Sequence, residues 1–223
     1  MIKKIKHPIK TLKSIQNQVR TKILYYLDMY GLISPDQIYS EDWYTKMDRE
    51  TARHDANKVS EILYEEFKPE SVIDLGCGIG LFLHSFENQG CNVRGIEGSQ
   101  SAIKHSVVAD IQYADLRSIY KPDQRYDLVI CFEVAEHLPE KHSDSLVDSI
   151  VSSGKIVAFT AATPGQGGTY HVNEQPHNYW IDKFENRGFR YEDKITESII
   201  SDLDLLEKEW ISENLMIFIK IDR

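Results

Sequence analysis

Short apolar runs alternate with helical stretches over the C-terminal two thirds of the chain. From residue 71 onward the apolar positions fall in runs of five to seven residues, separated by segments with helical spacing. Strands that alternate with helices form right-handed βαβ units, which build a mostly parallel sheet. The pattern predicts an α/β fold with a Rossmann-like, doubly wound, seven-stranded sheet. The predicted strands are "SVIDL" (71–75), "NVRGIE" (92–97), "DIQYA" (110–114), "YDLVICF" (126–132), "KIVAFTA" (155–161), "FRYEDKI" (189–195) and "LMIFIKI" (215–221).

The first 50 residues predict helices instead. Apolar residues recur three and four positions apart up to residue 19, with lysines between them and Pro8 interrupting the pattern. Further helices are predicted in "ILYYLDMYGL" (23–32) and "RETARHDANKVSEILYEEF" (49–67). We divide the chain into N-terminal basic amphipathic helices (1–50) and a main domain (51–223). The apolar stripes are Ile2, Ile5, Ile9, Leu12, Ile15 and Val19 in the first helix, and Ala52, Ala56, Val59, Leu63 and Phe67 in the third.

Charge is distributed unevenly along the chain. Residues 1–22 contain seven basic side chains and no acid, which leaves 19 basic against 35 acidic side chains in the remainder, a net charge of about −16. Such an acidic body disfavours nucleic acid as a partner. For the basic N-terminal stretch three environments stay open: packing on the domain or on a second subunit, an anionic membrane surface, or disorder.

The apolar runs and the cysteines bear on the compartment of the cell in which the protein resides. No run approaches the roughly 20 apolar residues of a membrane span, and the N-terminus lacks the apolar stretch of a signal peptide. Cys77, Cys91 and Cys131 are odd in number and irregularly spaced, which predicts reduced, buried thiols. We expect a cytoplasmic protein, with peripheral membrane contact through residues 1–22 as an alternative, and the oligomeric state stays open.

A glycine-rich turn follows the first predicted strand. Gly76, Gly78 and Gly80 in "VIDLGCGIG" allow a tight turn and close approach of a ligand to the backbone. The dinucleotide fingerprint G-x-G-x-x-G would need a glycine at position 81, where this chain has Leu81, so the turn favours a different cofactor. Asp74, just before the turn, is awkward beside a pyrophosphate but suits a cationic ligand.

Two further acids lie at the ends of the next strands. Glu97 ends the second strand, where a carboxylate can accept hydrogen bonds from both hydroxyls of a ribose. Asp115 follows the third strand, within reach of an adenine amino group. Acids at consecutive strand ends predict a site for an adenosine cofactor that carries a positive charge.

A third acidic cluster follows the fourth strand, in "CFEVAEHLPE". Glu133, Glu136 and His137 share one face if the chain turns helical there. Two buried carboxylates side by side are costly unless a cation lies between them. The cation could be a substrate, a cofactor or a metal.

The segments "VIDLGCGIG", "GIEGS", "YADL" and "YDLVICFEVAEHL" resemble the successive motifs of class I S-adenosylmethionine-dependent methyltransferases over roughly residues 70–195. The resemblance implies that the last strand inserts antiparallel into the sheet and that S-adenosylmethionine is the cofactor. Its methionine end would be held by Asp74 and the glycine turn, and its adenosine by the acids that follow. The implied cofactor-binding residues are Asp74, Gly76, Cys77, Gly78, Gly80, Glu97, Gly98, Ser99, Asp115, Leu116 and Glu133.

Within that superfamily, Glu-x-x-Glu-His after the fourth strand resembles the O-methyltransferases of ubiquinone biosynthesis and the small-RNA 2′-O-methyltransferases. Both resemblances imply a further histidine after the next strand, for which His171 and His177 are the candidates. Glu133, Glu136, His137 and His171 would then bind a divalent metal (Mg²⁺, Mn²⁺, Fe²⁺ or Zn²⁺). His177 or a water would take the proton. Two alternatives stay open: a metal-free reaction with His137 or His171 as general base, and a purely structural role.

The expected acceptor is a sugar hydroxyl with a neighbouring free hydroxyl, in a glycan or a glycosylated small molecule. Amides and aromatic rings between residues 170 and 180 could form a carbohydrate-binding wall or could pack the loop onto the sheet. The acceptor alternatives are a catechol or quinone precursor and an RNA end. A non-catalytic cofactor-binding subunit is the alternative from a different class. The wall residues are Tyr170, Asn173, Gln175, Asn178, Tyr179 and Trp180.

Overall fold

A seven-stranded sheet runs through the protein in the computed structural model, which describes the backbone of residues 8–203 and 209–221 and the side chains of residues 19–203 and 210–221. The strand order is β3-β2-β1-β4-β5-β7-β6. The first five strands in this order pair in parallel, and β7 pairs antiparallel with both β5 and β6. The strands are β1 (Ser71–Leu75), β2 (Asn92–Glu97), β3 (Ile111–Tyr113), β4 (Tyr126–Phe132), β5 (Gly154–Thr160), β6 (Phe189–Tyr191) and β7 (Met216–Lys220).

Helices cover both faces of this sheet. Successive strand residues point to opposite faces, so Val72 of β1 packs with one set of helices and Ile73 with the other. Burial on both faces explains why β1 and β4 read as nearly continuous apolar runs. The helices are α1 (Pro8–Met29), α2 (Pro35–Ile38), α3 (Glu41–Thr45), α4 (Glu50–Phe67), α5 (Leu81–Asn88), α6 (Gln100–Lys104), α7 (Ser143–Ser153), α8 (His177–Glu185), α9 (Asp193–Asp202) and α10 (Glu209–Asn214).

The predicted α/β fold is confirmed, including the antiparallel last strand. The sixth strand is shorter than predicted: β6 ends at Tyr191, and "DKI" begins α9. The prediction failed there because the first apolar residues of α9 fit two patterns. They belong to the apolar stripe of a helix, but they also fit the pattern of a strand.

The N-terminal helices differ from the prediction in their boundaries. The helices predicted before and after residue 19 are one helix, α1, which begins at Pro8, a residue favoured in the first turn of a helix. Ile2 and Ile5 lie outside the described residues. The third predicted helix is confirmed as α4, with Ala56, Val59 and Leu63 buried against the sheet.

The burial of the cysteines agrees with the sequence analysis. All three cysteines are buried and unpaired. Among the helices that the structure describes, none is long and apolar enough to cross a membrane.

The glycine turn after β1 tolerates no side chain at its first position. Gly76 has a φ of +87°, and a Cβ atom there would lie 2.4 Å from Cγ2 of Val134. Gly90, in the turn before β2, has a similar φ of +91° but nothing within 4 Å of its Cβ position. The two glycines therefore share a backbone conformation and differ only in the space around them.

We expect Gly76→Ala to lower the free energy of unfolding by about 2–4 kcal/mol, since it combines backbone strain with overpacking. Gly90→Ala should cost only the strain, about 1–2 kcal/mol. Urea unfolding followed by circular dichroism measures both. The second substitution Val134→Ala should restore part of the loss in Gly76→Ala, and equal costs for the two glycine variants would contradict the role of the packing.

Candidate active site

A cavity of about 380 Å³ opens at the carboxyl ends of β1, β2 and β4. Its volume lies within the roughly 300–1,000 Å³ of small-molecule sites. Two predicted site residues, Gly80 and Ser99, are not among the lining residues that the structure describes. Gly80 is the N-cap of α5, and Ser99 caps α6 by accepting the N–H of Ala102. The predicted site residues that line it are Asp74, Gly76, Cys77, Gly78, Glu97, Gly98, Asp115, Leu116, Glu133 and His137.

Two buried carboxylates face this cavity. Asp74 and Glu97 are 3% and 8% exposed. The Glu97 carboxylate accepts the backbone N–H groups of Gly78 and Ser99, each at 2.8 Å. Burial raises the pKa of Glu97 to about 7 despite these hydrogen bonds, and burial together with the Glu97 charge raises the pKa of Asp74. This part of the cavity is therefore suited to a ligand that donates hydrogen bonds or carries a positive charge.

Asp115 is held by an arginine that the sequence analysis did not single out. Both oxygens of Asp115 accept from Arg117, at 2.7–3.0 Å. Arg117 also donates to the buried Asp28 of α1 at 2.7 Å and to the Ile33 carbonyl at 2.8 Å. Tyr170 donates to the second oxygen of Asp28 at 3.0 Å. Asp115, the end of α1 and the loop after β5 thus form one hydrogen-bonded unit.

The N-terminal helices supply an aromatic wall that the sequence analysis missed. Tyr39, Trp43, Tyr44 and Met47 line the cavity, so residues on both sides of the predicted boundary at residue 50 build it. Trp43 keeps 44% of its surface exposed. The density of aromatic residues in "YSEDWYTKM" was the available signal. The boundary itself stays a prediction.

Glu133 follows β4 with an unusual backbone. Its φ is +53°, its N–H donates to Thr160 Oγ1 at 2.9 Å, and its carboxylate accepts from Asn214 at 3.2 Å. Gln166 lies 3.5 Å from the other carboxylate oxygen. Positive φ at a residue other than glycine is a strained conformation that clusters at functional sites. Glu133 lines the cavity, so the turn places a carboxylate near the ends of β4 and β1.

A second group of polar side chains, the three-residue cluster, consists of Glu136, His137 and His171. One potential ligand atom from each of these three residues lies within 4.8 Å of the others. The predicted fourth ligand, Glu133, is outside this group, although its charge lies near Glu136. Its left-handed backbone precedes the short 3₁₀ turn Ala135–His137, so Glu133, Glu136 and His137 do not share the predicted helical face. A role of Glu133 as a metal ligand stays a prediction.

Glu136 is the one acid of this three-residue cluster, and it is deeply buried. It is 0% exposed, and neither carboxylate oxygen has a hydrogen-bond partner of standard geometry. Burial, followed by the nearby Glu133 charge, raises its pKa well above the usual range, although the Ala162 backbone opposes the shift. A buried carboxylate without a partner is costly. A cation bound between this carboxylate and the two imidazoles would offset that cost.

Both imidazoles are oriented through their Nδ1 atoms. His171 Nδ1 lies 3.1 Å from the Glu174 carboxylate, and His137 Nδ1 lies 2.8 Å from Tyr39 Oη and 3.3 Å from the Tyr170 carbonyl. Nδ1–H donation to these oxygens leaves each Nε2 lone pair for a ligand. Burial, followed by the His171 ring, lowers the pKa of His137 to about 4, which favours the neutral form that binds metals. Glu174, three residues after His171, was visible in "HVNE" but was not singled out.

The loop after β5 carries His171 and is fastened to the 3₁₀ turn. The backbone N–H groups of Val172 and Asn173 donate to the Glu136 carbonyl at 2.9 and 3.1 Å. Asn173 also donates to the Ala135 carbonyl at 3.2 Å. These contacts, and not sequence proximity, bring His171 to Glu136.

Half of the six residues proposed as a carbohydrate wall are buried in this loop and the helix that follows it. Tyr170, Asn173 and Trp180 are buried, and the Trp180 ring contacts Phe159 of β5 at a centroid distance of 5.3 Å. None of the six proposed residues is in the described lining of the cavity. The burial of these three residues fits the packing alternative, and a carbohydrate-binding role of the segment stays a prediction.

His177 begins α8 and belongs neither to the three-residue cluster nor to the described lining of the cavity. Its Nε2 is buried without a hydrogen-bond partner of standard geometry. Its predicted role as the base stays a prediction.

We expect the unfolding free energy of the cofactor-free protein to fall as the pH rises from 5 to 8. The unfolded chain releases the Glu97 proton near pH 4.5, whereas the folded protein retains it to about pH 7, so the folded state binds more protons in this window. The full effect is on the order of 3 kcal/mol. Urea unfolding at fixed ionic strength should give a shallower decline for Glu97→Gln. The exposed Glu140→Gln variant should keep the wild-type slope, and equal slopes for wild type and Glu97→Gln would refute this assignment.

Comparisons with known proteins agree with this architecture. Residues 44–192, more than half of the chain, match the family described as "Methyltransferase domain". The ubiquinone biosynthesis O-methyltransferase of Coxiella burnetii (strain Dugway 5J108-111) is 28% identical over 112 residues, which cover 45% of this chain and 48% of that protein. The chain thus spans about half the length of the curated relative.

Solved structures share the fold at low identity. The sugar N-methyltransferase KedS8 from Streptoalloteichus sp ATCC 53650 has a TM-score of 0.62 at 12% identity, covering 82% of this chain and 94% of that one. The amino pentose methyltransferase CalS10 from Micromonospora echinaspora, solved with S-adenosylmethionine bound, has a TM-score of 0.59 at 12% identity, covering 81% and 96%. The chain belongs to the methyltransferase-domain family, and its sheet has the fold of S-adenosylmethionine-dependent methyltransferases.

Proposed function

We propose that this protein transfers the methyl group of S-adenosylmethionine to one hydroxyl of a vicinal diol, with the help of a divalent metal ion. The observation that carries the proposal is the buried, unpartnered Glu136 carboxylate beside the imidazoles of His137 and His171. A diol is the acceptor that such a centre suits best, because two neighbouring hydroxyls can chelate one metal ion.

The cavity residues fit the cofactor. Asp74 and Glu97 would accept hydrogen bonds from its ammonium group and ribose hydroxyls, and each Glu97 oxygen retains a lone pair beside its backbone donor. The close packing at Gly76 supports near approach of a ligand to the turn. When bound, the cofactor supplies an electrophilic methyl group on a sulfonium. Glu133, held by Asn214, would stand at the methionine end.

The three-residue cluster fits a metal. One carboxylate and two neutral imidazoles are a donor set for Zn²⁺, Fe²⁺ or Mn²⁺, and three protein ligands leave positions open for a substrate. Glu174 and Tyr39 would hold the two rings in place. A metal bound there would lower the pKa of a hydroxyl that it holds. If no metal binds, His171 or His137 is the candidate general base.

The aromatic wall favours an acceptor whose diol lies on a planar ring, as in a catechol or quinone precursor. Tyr39, Trp43 and Tyr44 line the cavity, and the Tyr39 hydroxyl is already hydrogen-bonded to His137. The name of the curated relative from Coxiella burnetii points to the same acceptor class. A sugar diol is the second candidate, because the half-exposed Trp43 ring can also stack on the C–H face of a sugar.

We expect Mn²⁺ to bind metal-stripped protein saturated with S-adenosylhomocysteine at one site. Glu136→Gln should weaken this binding at least 100-fold by removing the charged ligand. Glu174→Gln should weaken it roughly 10- to 100-fold, as loss of an outer-shell partner does. Isothermal titration calorimetry measures all three proteins, and the exposed Glu140→Gln is the matched control. Absence of binding to wild type, or unchanged binding to Glu136→Gln, would exclude the metal.

A panel of acceptors tests the reaction itself. Catechol should be methylated at least 100-fold faster than phenol, since only the diol can chelate, and a chelator should remove this preference. Methyl glycosides with and without adjacent hydroxyls test the sugar alternative. RNA tests the remaining alternative, an RNA end. Transfer to no diol would overturn the proposal; cofactor binding without any transfer would then indicate a non-catalytic subunit.

A further inference from the structure

The last turns of α1 present an exposed apolar face. Val19, Ile23 and Tyr26 are 52%, 56% and 61% exposed, and Tyr30, directly after the helix, is 72% exposed. At about 100° of rotation per residue these four positions fall within a narrow arc of the helix. A row of this kind is more than the scattered single apolar residues of an ordinary surface.

The opposite side of the same helix is fixed to the protein. Asp28 lies about half a turn away from the exposed row, is 4% exposed, and bonds Arg117 and Tyr170. The helix end is therefore held in one orientation, with its apolar row directed outward. Because Asp28 also lines the cavity, the exposed row lies close to the site.

The charge around this row is positive. No acid precedes Asp28 in the sequence, whereas seven basic residues do, and Arg20 and Lys22 are exposed beside the row. The remainder of the chain is strongly acidic. An apolar row with tyrosines, flanked by basic residues, has the composition of a helix that lies in the interface of an anionic bilayer.

We propose that α1 docks the protein on an anionic membrane surface through Val19, Ile23, Tyr26 and Tyr30, with Arg20 and Lys22 contacting lipid headgroups. This inference is independent of the acceptor and of the metal. A second copy of the chain is the competing occupant. The membrane is favoured because basic residues flank the row, and two copies that met through their rows would bring these like charges together.

Flotation with phosphatidylcholine vesicles, with and without 30% phosphatidylglycerol, tests the proposal. The wild-type chain should bind only the anionic vesicles. Ile23→Asp should reduce this binding more than tenfold, and Lys22→Gln about fivefold, the effect of one basic residue near an anionic surface. Ile119→Asp and Lys121→Gln change a comparably exposed isoleucine and an exposed lysine elsewhere, and should leave binding unchanged.

Binding of S-adenosylhomocysteine to each variant, measured by calorimetry, establishes that it is folded. Failure of the wild-type chain to bind anionic vesicles would overturn the proposal, as would an equal loss in the Ile119→Asp control. Sedimentation velocity without lipid provides the last criterion. A wild-type dimer that becomes monomeric in Ile23→Asp would assign the row to a second copy instead.

Discussion

Three carboxylates are buried at one edge of the sheet, and the cost of keeping them out of water is the constraint around which the site is arranged. Asp74, Glu97 and Glu136 all have raised pKa values because burial disfavours their charged forms. A chain under selection for stability alone would have apolar residues at these positions. Their presence indicates that the apo protein is held ready for cationic or hydrogen-bond-donating partners, at the expense of its own stability.

The rest of the fold offsets this cost and fixes the geometry. The parallel strands β1, β2 and β4 end at the same edge, so Asp74 and Glu97, which are far apart in sequence, line one cavity. Glu136 adjoins that cavity through its neighbour His137, which also lines it. Two apolar layers, one on each face of the sheet, supply the burial that stabilises these strands. The acids are thus held by the rigid elements of the protein, as a preorganised site requires.

The N-terminal helices are part of this site and not an appendage. Tyr39 reaches His137, and Arg117 joins Asp115 to Asp28 at the end of α1. The same unit includes Tyr170, one residue before His171. Asp115, the loop that carries His171 and the end of α1 are therefore connected by hydrogen bonds. If α1 lies on a membrane, the cavity is close to molecules dissolved in that membrane.

The sequence by itself determined the α/β class, six of the seven strands nearly to the residue, and the acids at the strand ends, because hydrophobic period and glycine turns are local signals. Glu136 and His137 were likewise identifiable from their spacing. The tertiary structure alone decided that Glu133 adopts a left-handed backbone that no local pattern specifies, so that Glu133, Glu136 and His137 do not share one helical face. It also decided that Tyr170, Asn173 and Trp180 are buried, and that the aromatic wall comes from a segment more than 80 residues away from His137 and His171. These outcomes depend on which surfaces meet when the chain folds, and contacts between distant segments leave no periodic trace in a single sequence.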